Sequence, residues 1–194
     1  MRSAGDGLIA RCKTGDGVLK VGPDYVAKDA LIACEAKDVR GYKLPDMLAE
    51  IEEARRNRGA TFGIFIISTR CAPAGLPPFM RYGNDTVIVK WNDEDEATDV
   101  YLDAAVDVAC ALVTREAAEK KDQRVDFAAI NRTIDAIERS AGAFDQIITW
   151  TTTIETNSGK ILKEAKSSRD ALNGDLTVLR SHMKALRGSG GATA

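Results

Sequence analysis

The sequence predicts an α/β fold: a mixed β-sheet with flanking helices, followed by a long helical or coiled-coil region toward the C-terminus. Three observations carry that reading. Short apolar runs of strand length recur as far as Trp91 and then stop. All five prolines (Pro23, Pro45, Pro73, Pro77 and Pro78) precede Phe79, so the rest of the chain carries no helix breaker. Beyond Arg124 apolar side chains recur in steps of three and four, which is the period of a helix face.

Taken in order, Leu8–Lys13 alternates weakly and is a candidate first strand. Gly17–Val21 is a stronger one, and Gly22-Pro23-Asp24-Tyr25 has turn chemistry. Ala30–Cys34 is a continuous apolar run, as expected of a strand covered on both faces. Lys43–Arg58 reads as a helix. It has Pro45 in its first turn, Leu44, Met47, Leu48, Ile51 and Ala54 at helical spacing, and Gly59 as its stop. Phe62–Ile67 is the most apolar segment and predicts a central strand, parallel to Ala30–Cys34 because a helix lies between them. Arg70–Gly83 reads as a long, apolar, cation-bearing loop that either packs on the core or lines a cleft, where Phe79 or Tyr82 could stack a base. Thr86–Trp91 is a further strand, and Ala97–Glu119 a helix opened by acidic residues.

Apolar residues then fall at 127, 130, 134, 137, 141, 144 and 148, and again at Leu172, Leu176, Leu179, Met183 and Leu186. Thr151, Ser158 and Ser168 occupy the seam between them, and Asn157-Ser158-Gly159 is a candidate break. This spacing predicts one continuous helix that self-associates into a homo-oligomer, or a hairpin folded at that break that leaves the chain monomeric, with a helix that simply covers the sheet as the lesser reading. Residues 1–119 are expected to form the α/β domain, 120–187 the helical region and 188–194 a disordered tail.

Composition narrows the function. The chain has 194 residues and a formal charge of −2, which excludes a strongly basic, histone-like binder. The imbalance is local: residues 1–92 carry +3 and the remainder −5, so a polyanion would bind the first half. No apolar run approaches membrane-spanning length and the first residues lack a secretion signal, so the expected location is cytoplasmic with no membrane partner. Cys12, Cys34, Cys71 and Cys110 are too scattered for a zinc site or disulfide frame. His182 is the only histidine, which leaves Ser/His or Cys/His catalysis nothing to build on. Phosphate-cradling and dinucleotide-binding glycine loops are absent.

One constellation carries chemistry. If Val21 and Ala30 flank the turn, counting back along both strands sets Asp16 directly opposite Glu35. Such pairs have Cβ atoms about 5 Å apart, close enough to share one divalent cation. Alternation puts Lys37 on the face of Glu35. Two carboxylates and the Ala36 carbonyl form a hard, oxygen-only site suited to Mg²⁺ or Mn²⁺, with Lys37 able to orient a water and offset developing phosphate charge. Glu-x-Lys occurs three times, but the copies at Glu119 and Glu164 lie on helical, solvated stretches. Lys13, Lys20, Lys43, Arg55, Arg56 and Arg58 are candidate phosphate contacts. Glu50 and Glu53 read chiefly as a solvated helix face, with a supplementary place at the site as the lesser reading.

Gly15-Asp16-Gly17, the hairpin, Ile32-Ala33-Cys34-Glu35-Ala36-Lys37, the helix ending Asn57-Arg58-Gly59-Ala60 and the apolar strand after it resemble the PD-(D/E)xK nuclease superfamily over about residues 8–91. The family's dipeptide stands here as Gly15-Asp16, and the family's usual opening helix has no counterpart before the first strand, which points to a longer parent chain. The resemblance implies a restriction-endonuclease-like fold and Mg²⁺-dependent hydrolysis of DNA, or RNA, phosphodiesters. It makes Asp16 and Glu35 the metal-binding acids and Lys37 the catalytic lysine. The other function kept open is an inactive nuclease-like domain serving as a coiled-coil assembly or nucleic-acid-binding module.

Overall fold

Most strands and helices form where the apolar periodicity places them; two expected segments are exceptions, and a short strand at Arg2–Ser3 is added. The computed structural model describes residues 2, 3, 7–9, 12–120 and 126–189. The elements are β1 (Arg2–Ser3), β2 (Gly17–Lys20), β3 (Leu31–Lys37), α1 (Leu44–Arg58), β4 (Phe62–Ser68), β5 (Phe79–Tyr82), β6 (Thr86–Trp91), a 3₁₀ turn (Glu96–Thr98), α2 (Asp99–Lys120) and α3 (Phe127–Ser189). They build one mixed sheet in the order β1-β2-β3-β4-β6-β5. β3, β4 and β6 run parallel at its centre, while β1–β2–β3 and β5–β6 pair antiparallel.

The central strands are covered on both faces, which explains their unbroken apolar sequence. Alternation divides their side chains. Ile32, Cys34, Phe62, Ile64, Val87 and Val89 face the layer that holds α2. Ala33, Phe65, Ile67 and Ile88 face Met47, Ile51 and Ala54 of α1. α1 ends at Gly59 in a left-handed conformation (φ 62°), and the Gly59 amide donates back to the last carbonyls of the helix.

The first exception is Leu8–Lys13. Its described residues form no strand, because their backbone groups are engaged by the end of α1 instead of by a ladder; Ala10 and Arg11 lie outside the described residues. The second is Arg70–Gly83, whose last part is β5. Phe79 there is buried at 3% exposure in the core, so it is not available to stack a base, whereas Tyr82 is exposed.

The chain divides into two compact units, residues 1–145 and 146–194. In the first, α3 begins as a covering helix. Ile134 is buried, and Ile130, Ile137 and Ala141 pack against the same cluster as α2. The early part of the apolar seam is therefore satisfied within the chain. In the second unit α3 runs through Asn157–Gly159 without interruption, so no hairpin folds there. Residues 190–194 of the expected tail lie outside the described residues. Among the described residues no helix is long and apolar enough to cross a membrane.

Candidate metal and phosphodiester site

The site is set by register. Gly17 pairs with Cys34, Val18 with Ala33 and Leu19 with Ile32, and the Val21 amide donates to the Ala30 carbonyl at 2.9 Å. The paired residues end at Gly17 and Cys34, and Asp16 lies one residue beyond them, where its charge acts on Glu35. The two residues are clasped reciprocally. The Gly15 amide donates to Glu35 Oε2 at 2.5 Å, and the Ala36 amide donates to Asp16 Oδ2 at 2.9 Å. Gly15 adopts φ 97°, a left-handed conformation that suits glycine, and a Cβ there would also strike the Arg58 side chain.

Glu35 and Lys37 project toward the face covered by α1, and a third acid meets them there. The Lys37 ammonium bridges Glu35 Oε1 (2.5 Å) and Glu50 Oε1 (2.7 Å). Glu50 Oε2 accepts from the Tyr42 hydroxyl at 2.6 Å, and the Tyr42 ring packs on Phe65 with centroids 5.8 Å apart. Glu50 therefore belongs to the site and is not simply part of a solvated face. Glu53 accepts from the Cys12 thiol and stays exposed.

The electrostatics follow from burial. Glu35 is only 2% exposed. Desolvation raises its pKa, the Asp16 charge raises it further, and hydrogen bonds from Lys37 and Gly15 oppose both. Burial works against the Lys37 ammonium, yet the Glu35 and Glu50 carboxylates outweigh it and raise its pKa, so Lys37 is charged at neutral pH. Burial likewise disfavours ionised Glu50, but bonds from Lys37 and Tyr42 win and lower its pKa. Tyr42 is held protonated mainly by its bond to Glu50.

The expected phosphate contacts separate into two groups. Arg58 turns inward, donating to the Gly15 carbonyl through Nε (3.1 Å) and Nη2 (2.7 Å). Arg55 is spent on Glu52, Asp85 and the Thr61 carbonyl. Both are structural, because a guanidinium at the end of α1 finds backbone carbonyls and carboxylates within reach. Lys20 pairs with Asp29 at the end of β2 away from Asp16. Lys13, Lys43 and Arg56 remain exposed, with Arg56 only loosely paired to Glu52 at 3.9 Å.

Asn57 is the residue that the apolar pattern alone passes over. Fully buried, it donates through Nδ2 to the carbonyls of Cys12 (3.1 Å) and Thr14 (2.8 Å) and accepts from the Ile9 amide through Oδ1 (3.0 Å). Together with Arg58 it holds the segment that delivers Asp16. The signal was present: steps of three and four from Met47 run through Glu50, Ala54 and Asn57, so both polar residues lie on the buried stripe of α1.

Asp16, Glu35 and the Ala36 carbonyl are hard oxygen donors of the kind that Mg²⁺ or Mn²⁺ takes, although both carboxylate oxygens of Glu35 already accept from the Gly15 amide and the Lys37 ammonium. Among the described residues no three His, Cys, Asp or Glu side chains converge on one ion-sized position, so a bound cation would rely on the backbone carbonyl and water for its remaining ligands. Comparison with family models, curated proteins and solved structures finds no match for the chain.

Proposed function

We propose that the chain is a metal-dependent phosphodiesterase acting on DNA, built on a restriction-endonuclease-like core. The observation that carries this reading is the convergence of Asp16, Glu35 and Lys37 at the end of β3, with the Lys37 ammonium held between two carboxylates. Asp16, Glu35 and the Ala36 carbonyl would hold Mg²⁺ or Mn²⁺. When bound, the ion supplies neutralisation of charge at the phosphate. Lys37, always charged and steered by Glu50, orients the attacking water and offsets the negative charge that develops on phosphorus-bound oxygen. Tyr42 fixes Glu50, and so fixes Lys37. Exposed Lys13, Lys43 and Arg56 seat the flanking phosphates without reading sequence.

The test is cleavage of supercoiled plasmid and single-stranded DNA in Mg²⁺ or Mn²⁺. The wild-type chain should cut only with metal, and Asp16→Ala should lose both cutting and calorimetric Mn²⁺ binding. Lys37→Ala should keep metal binding and lose a factor of about 10²–10⁴ in rate. Absence of cleavage by the wild-type chain, or equal Mn²⁺ affinity in Asp16→Ala, overturns the reading.

The second reading, an inactive nuclease-like domain serving an assembly, is favoured by a separate observation. Both oxygens of Glu35 already have protein donors, and Arg55 and Arg58 are consumed internally. Absence of cleavage by a folded wild-type chain would select it.

A further inference from the structure

The second compact unit, taken by itself, leaves an apolar stripe uncovered. Every described residue from 146 to 184 whose side chain is placed is exposed. Ile147, Ile154, Ile161, Leu172, Leu176 and Leu179 are between 38% and 67% exposed. They lie on one stripe of α3. Ile147, Ile154 and Ile161 alternate with Thr151, Ser158 and Ala165 in steps of four and three, and Ser168 leads to Leu172, Leu176, Leu179 and Met183. No charged side chain falls within the stripe, which is what a two-helix seam needs.

The charges beside the stripe identify its occupant. In a parallel, in-register pair of helices, the residue just before one seam position faces the partner's residue five places further on. Between 147 and 183 that geometry brings two charged pairs together, Glu164 with Arg169 of the second copy and Asp175 with Arg180 of the second copy. Both have opposite signs. Among the described residues no ion pair within the chain engages Glu164, Asp175 or Arg180, and Arg169 contacts only its neighbour Asp170 at 3.6 Å. A lipid surface fits poorly, because an interfacial helix concentrates Lys and Arg on its polar face, whereas this one interleaves Glu155, Glu164, Asp170 and Asp175 among its cations.

We propose that the chain dimerises through residues 147–183 as a parallel, in-register, two-stranded coiled coil, with these two ion pairs made twice across the seam. Thr151 and Ser158 at seam positions weaken the pairing relative to an all-aliphatic seam and restrict it to one register. The inference is independent of the reading of the carboxylate site and stands or falls separately.

Light scattering on the full chain at tens of micromolar should give the mass of a dimer. Ser158→Cys, oxidised in that state, should yield a 158–158 cross-link in peptide mapping, because only a parallel register sets position 158 against itself along with the rest of the seam. Glu164→Arg sets like charges together twice and should weaken dimerisation roughly tenfold. Glu164→Arg combined with Arg169→Glu should restore it. All these positions are exposed in the monomer, so circular dichroism should show unchanged folding. A monomer at these concentrations, a dimer whose 158 positions do not join, or a double variant no tighter than the single one overturns the proposal.

Discussion

At the scale of single residues, burial decides which polar groups do chemistry and which stay silent. Glu35 and Cys34 are neighbours on β3 and both are buried, but they point to opposite faces. Glu35 meets an amide and an ammonium and feels the charge of the Asp16 carboxylate, which lies just before β2. Cys34 meets only apolar side chains, and burial pushes its thiol up to about 11. A thiol that ionises at 9.0 when unfolded and near 11 when folded stabilises the fold fully below pH 9 and loses that contribution as pH rises through 11. The stability of wild type relative to Cys34→Ala should therefore fall by about 2–3 kcal/mol between pH 8.5 and 11. Chemical denaturation of both proteins across that range reads the difference, and parallel curves would refute the assignment. Lys37 titrates beyond this window because its two carboxylates hold its proton, and it is common to both proteins.

At the scale of elements, α1 does more than cover the sheet. Its middle supplies Glu50 to orient Lys37, and its last turn supplies Asn57 and Arg58 to hold the segment that carries Asp16. The helix thus couples the two strands of the site, β3 directly and β2 through the preceding loop. Asn57→Ala would strand the carbonyls of Cys12 and Thr14 and the amide of Ile9 away from their partners. These groups are part-buried, and a fully buried group left unmet costs about 1–3 kcal/mol. We expect a loss of about 2–3 kcal/mol in urea denaturation, with faster amide exchange between residues 8 and 16 and little change in the central strands. An unchanged exchange pattern would mean the loop is held by other contacts. Arg58, read from sequence as a phosphate contact, is a brace on the same segment, because its guanidinium donates to the carbonyls of Gly15 and Lys13.

At the scale of the whole molecule, one uninterrupted helix serves two compact units under different rules. Ile134 is 2% exposed within the first unit and Ile161 is 67% exposed within the second, although both are isoleucines in the same three-four pattern. Ile134→Ala should cost about 2–4 kcal/mol in unfolding free energy at any protein concentration, since it empties a packed core. Ile161→Ala should change the stability of dilute protein by no more than about 0.5 kcal/mol, and should act only on stability that depends on concentration. Thermal melts of both variants over a hundredfold range of concentration separate the two effects. Equal losses would show that the exposed stripe is buried against the chain itself.

The sequence by itself determined the parts of this protein that depend on local period and turn chemistry. The central strands, α1 with its glycine stop, the parallel crossover and the register that opposes Asp16 to Glu35 all follow from spacing between neighbours in the chain. A hairpin's pairing is set by its turn, so counting back from Val21 and Ala30 was sufficient. Tertiary structure decided what depends on partners distant in sequence. Leu8–Lys13 alternates like a strand but gives its backbone to Asn57, some forty-five residues away. Phe79 sits in a stretch rich in proline and glycine, yet pairs with Val89 and enters the core. Steps of three and four read identically before and after residue 145, and only packing distinguishes the turns of α3 that meet α2 from those that meet solvent. Periodicity states that a face is apolar; which surface covers it is a property of the assembled fold.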